Sequence, residues 1–121
     1  MFKRIFPIAV LSIGLALSLP VAGEVQAKTP VRLTGTVGPG FTITLGRAGK
    51  IVKSLKRGTY VIKVSDLATD HNFHLTGPGV NKTTSVGGTG TTTWTVTLRK
   101  GTYTYVCDPH AATMRGTFTV T

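Results

Sequence analysis

From Val31 to the end of the chain, β-branched and aromatic residues alternate with polar ones in short runs, and glycine-containing turns separate most of them. The runs are Val31–Val37, Phe41–Leu45, Thr59–Ser65, His71–Thr76, Thr91–Leu98, Thr102–Cys107 and Arg115–Thr121. Between them stand turn-forming groups such as Gly38-Pro39-Gly40, Arg57-Gly58, Gly77-Pro78-Gly79, Gly87-Gly88 and Lys100-Gly101. A period of two places alternate side chains on opposite faces of a strand, and threonine, valine and tyrosine suit a pleated, half-buried surface. The chain holds 22 threonines, none before Thr29, and no window carries a sustained helical period. Such a pattern fits an all-β domain, a Greek-key sandwich of about seven or eight strands. One short echo stands out within it. Leu55-Lys56-Arg57-Gly58-Thr59-Tyr60 resembles Leu98-Arg99-Lys100-Gly101-Thr102-Tyr103, which predicts two alike loop-to-strand corners at one end of the sandwich.

The first 27 residues follow a different logic. Lys3 and Arg4 precede an uncharged apolar run from Ile8 to Leu19, and Val25-Gln26-Ala27 places small residues at the −3 and −1 positions of a cleavage site. This is the layout of a secretory signal peptide, with the cut expected after Ala27. The run between Pro7 and Pro20 is shorter than the roughly 20 apolar residues of a spanning helix, which argues against an uncleaved anchor. No cysteine lies near the cut to accept a lipid, and Lys3-Arg4 is not a twin arginine, so the ordinary export route is expected. The mature domain is then residues 28–121, periplasmic or extracellular. It carries 12 basic and 3 acidic side chains, a net charge of +9.

Within that domain the residues able to do chemistry are scarce and concentrated. It contains one cysteine, Cys107, one methionine, Met114, and three histidines, His71, His74 and His110. A single cysteine rules out an internal disulfide, an iron–sulfur cluster and a multi-cysteine zinc site. Cys107, His110 and Met114 fall within eight residues, between two strand-like runs. Thiolate and thioether are soft donors that favour copper(I), whereas imidazole accommodates both oxidation states. Two histidines and a cysteine in a trigonal set, with a long axial methionine, is the donor pattern of a blue-copper site. The second histidine must come from elsewhere in the chain. If His71–Thr76 is a strand, His71 shares its face with Phe73 and Leu75 and points inward, while His74 shares the outer face with Asn72 and Thr76. His71 is the expected ligand. Cys107 shares its face with Tyr103 and Tyr105, which also turns the thiol inward.

Cys107-x-x-His110-x-x-x-Met114 after a Tyr/Thr/Val strand, with His71-Asn72 upstream, resembles the plastocyanin, azurin and pseudoazurin group of cupredoxins. The resemblance extends over essentially all of residues 28–121. It implies one mononuclear type 1 copper ion with His71, Cys107 and His110 as equatorial ligands and Met114 as the axial one. It further implies that Asn72 hydrogen-bonds to the ligand-loop backbone, and that His110 is the point of electron exit. Pro109 matches the group's Cys-x-Pro-His pattern. Asp108 replaces the serine or threonine common there, placing a carboxylate beside the thiolate where it could lower the potential or the rigidity of the site.

The function implied is single-electron transfer between redox partners rather than enzymatic catalysis. Cys107 and His110 alone do not form a nucleophile–base–orienter array, a dinuclear copper centre would need a second cysteine, and a multicopper site would need more histidines. A copper carrier or storage protein using the same donors is the alternative, and a metal-free structural β-domain a further one. The basic side chains suit a redox partner with an acidic docking face, or weak attachment to an anionic membrane surface, with the protein acting as a monomer. Export and the lack of interleaved aromatic and basic residues argue against nucleic acid.

Overall fold

The computed structural model describes residues 12–20, Gly23 and residues 28–121. The expected cleavage site after Ala27 and the Lys3-Arg4 pair lie outside the described residues. Residues 12–20 carry no regular secondary structure. Among the described residues no helix is long and apolar enough to cross a membrane.

Residues 31–120 form ten strands: β1 (Val31–Val37), β2 (Ile43–Arg47), β3 (Lys50–Ile51), β4 (Ser54–Leu55), β5 (Gly58–Asp66), β6 (His74–Gly77), β7 (Val80–Thr83), β8 (Gly90–Leu98), β9 (Gly101–Val106) and β10 (Arg115–Val120). A single turn of 3-10 helix, Asp108–His110, lies between β9 and β10. The strands make two five-stranded sheets, ordered β3-β2-β1-β5-β8 and β4-β10-β9-β6-β7. Both sheets are mixed, because β1 runs parallel to β5 and β4 parallel to β10. Three strands lie outside the alternating runs of the sequence. β3 and β4 are two residues each, too short for a period to register, and β7 offers only Val80 to the core.

Alternation becomes the core directly. Leu33 and Val37 of β1 and Tyr60, Ile62 and Val64 of β5 point inward from one sheet, and Tyr103 and Tyr105 of β9 with Phe118 and Val120 of β10 point inward from the other. Tyr103 stacks on Phe118 and Tyr105 on Phe73, with ring centroids 5.2 and 5.5 Å apart. Flat offset rings of this kind bury a large apolar area while adding a specific geometric preference.

The echoed hexapeptides are indeed equivalent corners. Gly58 opens β5 with φ +155° and Gly101 opens β9 with φ +149°, backbone that a side chain rarely allows. Tyr60 then donates its hydroxyl to the Lys56 carbonyl at 2.6 Å, and Tyr103 donates to the Arg99 carbonyl at 2.9 Å. In each corner a tyrosine ties its strand to the carbonyl four residues back. The two corners sit at one pole, since Gly58 pairs with Leu98 and Gly101 with Val120. The opposite pole, where β1, β5 and β9 end, carries the candidate site.

Candidate metal centre

Each donor sits where a strand gives out. β9 delivers Cys107 one residue beyond its end, and the inward alternation of Tyr103 and Tyr105 continues to it, leaving the thiol fully buried. The chain then turns through Asp108–His110, whose proline suits the first turn of a helix. It returns to β10 through Met114. Backbone hydrogen bonds close this loop on itself: Cys107 N–H donates to the Met114 carbonyl (3.0 Å), His110 N–H to Cys107 (3.0 Å) and Met114 N–H to His110 (2.8 Å). Eight residues are thereby fixed with cysteine and methionine at the base and His110 at the crest.

His71 comes from the segment between β5 and β6. The expectation of a strand over His71–Thr76 needs correction, because pairing begins only at His74. Residues 71–73 are irregular, and His71, Asn72 and Phe73 are all buried. Strict alternation therefore fails at Asn72, which lies inside and not beside His74 on the outer face. His71 does point inward, held by a different device. Buried Asp66 accepts hydrogen bonds from the Ala68 N–H (3.3 Å) and the Thr84 hydroxyl (3.1 Å). The Phe73 N–H donates to that same hydroxyl (2.8 Å), and the Thr84 N–H to the Phe73 carbonyl (3.0 Å). Both ends of the His71 segment are pinned through Asp66 and Thr84, a role that nothing in their sequence neighbourhood announces.

Three donor atoms meet at this pole. Nδ1 of His71 and Nδ1 of His110 lie 3.2 Å apart, and Cys107 Sγ lies 3.7 Å from the first and 3.5 Å from the second. A metal ion in the plane of three such donors, with bonds of about 2.0 Å to nitrogen and about 2.3 Å to sulfur, requires edges of about 3.5 and 3.7 Å. The triangle is within a few tenths of an ångström of that size. Its chemistry, one thiolate and two imidazoles, fits copper in either oxidation state. Among the described residues this is the one group of three or more His, Cys, Asp or Glu side chains gathered for a metal. Met114 is buried in the same apolar cluster as Cys107. His74 stands apart from the triad.

The surroundings stiffen the triad. Asn72 donates through Nδ2 to the Asp108 carboxylate (2.7 Å) and the Thr83 hydroxyl (3.1 Å), and its Oδ1 accepts the Asp108 N–H (2.7 Å). The expected brace between the His71 segment and the ligand loop is thus present. His74 is only a quarter exposed and adds a second tie, with Nδ1 at 2.9 Å from Asp108 Oδ1 and Nε2 at 2.7 Å from Asn81 Oδ1. Both ring nitrogens thus lie against oxygen atoms. The Asp108 hydrogen bond raises the His74 pKa above its usual 6.5, against a smaller opposing effect of partial burial. Partial desolvation works to raise the Asp108 pKa, but hydrogen bonds from His74 and Asn72 outweigh it and hold that carboxyl below 3.8. The carboxylate beside the thiolate is therefore held between the His74 ring and the Asn72 amide. Cross-strand pairing of His74 with Val106, two residues before Asp108, makes this contact, and neither residue's own run of sequence reveals it.

Solvent reaches the triad from one side. His71 and Cys107 are buried, whereas His110 is half-buried. Phe41, itself 68% exposed, sets its ring edge-on against both imidazoles, with centroids 5.5 Å from His71 and 5.0 Å from His110. Phe41 reads in sequence as the start of a strand, but the strand begins at Ile43 and leaves the ring over the site.

Two facing β-sheets closed at one pole by a Cys–His–His triad, with only one histidine open to solvent, define a cupredoxin, a β-sandwich protein with one type 1 copper site. The profile of copper binding proteins of the plastocyanin/azurin family matches residues 53–121, more than half of the chain, and the chain belongs to that family. Among solved structures it is similar to reduced rusticyanin, with 24% identity over 78% of this chain and 81% of that one and a TM-score of 0.57. It is similar as well to rusticyanin from Thiobacillus ferrooxidans, with 25% identity, 78% and 79% coverage and a TM-score of 0.55. No curated protein matches it in sequence.

Proposed function

We propose that this protein is an exported electron carrier in which His71 Nδ1, His110 Nδ1 and Cys107 Sγ hold one copper ion equatorially and Met114 supplies the axial thioether. Residues 1–27 serve as its signal peptide and residues 28–121 as the working domain, in the periplasm or outside the cell. The observation that carries this reading is the donor triangle itself, already of the size a trigonal ion needs, with the thiol sealed from water. Copper in such a set gains and loses one electron with little change of geometry.

The chain's own residues account for the rest. The Cys107–Met114 loop and the Asn72 brace keep the donors where they are, so that a change of charge at the site moves few atoms. Cys107 is buried in the same apolar cluster as Phe73, Tyr105 and Met114, which keeps the dielectric low around the sulfur. His110, the one donor with access to solvent, is the point at which an electron leaves or enters. Phe41 beside it offers an apolar contact for a partner. A buried thiol cannot serve as a nucleophile toward a substrate, which supports a carrier over an enzyme.

Voltammetry of the copper-loaded protein, paired with a competing copper(I) chelator, tests this reading. A carrier of electrons gives a reversible one-electron wave and retains its copper over repeated cycles. Rapid surrender of copper on reduction, without a reversible wave, would replace electron transfer with copper delivery.

A further inference from the structure

The charges of this protein are sorted along its long axis. All three side-chain carboxylates of residues 28–121 belong to the copper pole: Asp66 ends β5, Asp70 precedes His71 and Asp108 follows Cys107. Eight of the twelve basic side chains gather at the other end. Lys28, Arg47, Lys56 and Arg57 line one groove. Arg47 is shared with an adjoining depression that also holds Lys50 and Lys53. No Asp or Glu lines either one. Arg99 and Lys100 extend the same pole from the second tyrosine corner, because Leu98 pairs with Gly58. All eight of these cations are exposed. Both ion pairs among the described residues join histidine to aspartate, so none engages these lysines or arginines.

A redox partner is ill served by this pole. β5 spans the domain with nine residues, which puts the two ends about 26 Å apart at about 3.3 Å per residue. Electron tunnelling decays exponentially with distance, and a partner seated on the lysines would be remote from the copper. Specific protein interfaces also centre on buried aromatic or apolar anchors. The exposed aromatic ring, Phe41, is at the copper pole. What the basic pole offers instead is diffuse positive charge spread over several loops, plus Ile51, half exposed between Lys50 and Lys53. Long cationic side chains around a lone apolar one fit the headgroup layer of an anionic membrane.

We propose that the pole opposite the copper is an electrostatic anchor for an anionic lipid surface, which turns the copper pole and Phe41 outward toward soluble partners. The anchor does not depend on which residues ligate copper.

The test is partition of the copper-loaded full chain onto vesicles of phosphatidylcholine alone or with about one-third phosphatidylglycerol. The quantity read is the ratio of the two, because the apolar run of residues 1–27 contributes to both. The expected ratio is well above one and falls with added salt. A cation near an anionic surface contributes about a fivefold change in partition. The triple variant Lys50→Gln, Lys53→Gln, Lys56→Gln should therefore lower binding to the anionic vesicles roughly 100-fold. A control triple of equal charge, Lys63→Gln, Lys82→Gln, Arg115→Gln, should retain most of the binding. Far-ultraviolet circular dichroism and the copper chromophore report that both variants are folded. Equal losses in the two triples would overturn the proposal, since net charge and not the pole would then be responsible. A ratio of one would also overturn it. So would binding of soluble polyglutamate in place of anionic vesicles, which would assign the pole to an acidic protein.

Discussion

Replacing Asn72 with alanine removes a single buried side chain that joins three parts of the site. Its amide makes three hydrogen bonds, to the Asp108 backbone N–H, the Asp108 carboxylate and the Thr83 hydroxyl. A net contribution of about 1 kcal/mol per bond gives a loss of about 3 kcal/mol. Two considerations pull in opposite directions. The Asp108 carboxylate and Thr83 are exposed, so water can replace Asn72 there and reduce the cost. Asn72 itself is 2% exposed, so its removal leaves a small polar cavity and the Asp108 N–H without its partner. The sum stays near 3 kcal/mol, a large share of the 5–15 kcal/mol typical of a native domain. Urea unfolding of the metal-free protein, followed by tryptophan fluorescence, measures it. A loss under about 1 kcal/mol, within the range of ordinary surface substitutions, would refute the reasoning. It would mean that the backbone bonds within Cys107–Met114 hold the ligand loop without help.

The His74–Asp108 pair makes stability depend on pH in a defined way. His74 has a raised pKa, so its contribution is complete below 6.5 and is lost as pH rises through the folded value; Asp108 has a lowered one, so its contribution is complete above 3.8 and is lost as pH falls through the folded value. The metal-free protein should be most stable between these limits, and unfolding curves of His74→Gln should lack the alkaline decline; an unchanged decline would place its source elsewhere. Gly77 and Gly116 each lie against a tyrosine ring, where a β-carbon would collide with Tyr103 and Tyr105 respectively. Gly77→Ala and Gly116→Ala should each cost about 2 kcal/mol in thermal or denaturant unfolding, and a neutral result in both would show that the rings are free to shift.

Much of this architecture is legible in the residues because a strand writes its burial at every second position. Leu33 and Val37, Ile62 and Val64, and Tyr103, Tyr105 and Cys107 follow that rule without exception, and the inward direction of the thiol comes from it. The echoed corners were legible too, since Gly58 and Gly101 answer to a backbone requirement and Tyr60 and Tyr103 to a hydrogen bond four residues long. Period-two reasoning fails where pairing stops. Residues 71–73 have no strand partner, so their burial is set by the Asp66–Thr84 clamp, and Asn72 turns inward where alternation placed it outside. His74 with Asp108, and Phe41 over the two imidazoles, are meetings of segments distant in sequence, fixed by register and loop path. The direction of the charge axis escaped sequence reasoning for a similar reason. The echo already set Lys56-Arg57 and Arg99-Lys100 at one end, but only the topology shows that Asp66, Asp70 and Asp108 share the other.

The central claim, a thiolate-bound copper between two histidines, is tested most directly by the visible absorption spectrum on adding one equivalent of copper(II). An intense thiolate-to-copper band near about 600 nm is the expected result, absent from Cys107→Ser and present in His74→Ala. A protein that stays colourless, or that loses its band in His74→Ala while keeping it in His71→Ala, would contradict the account.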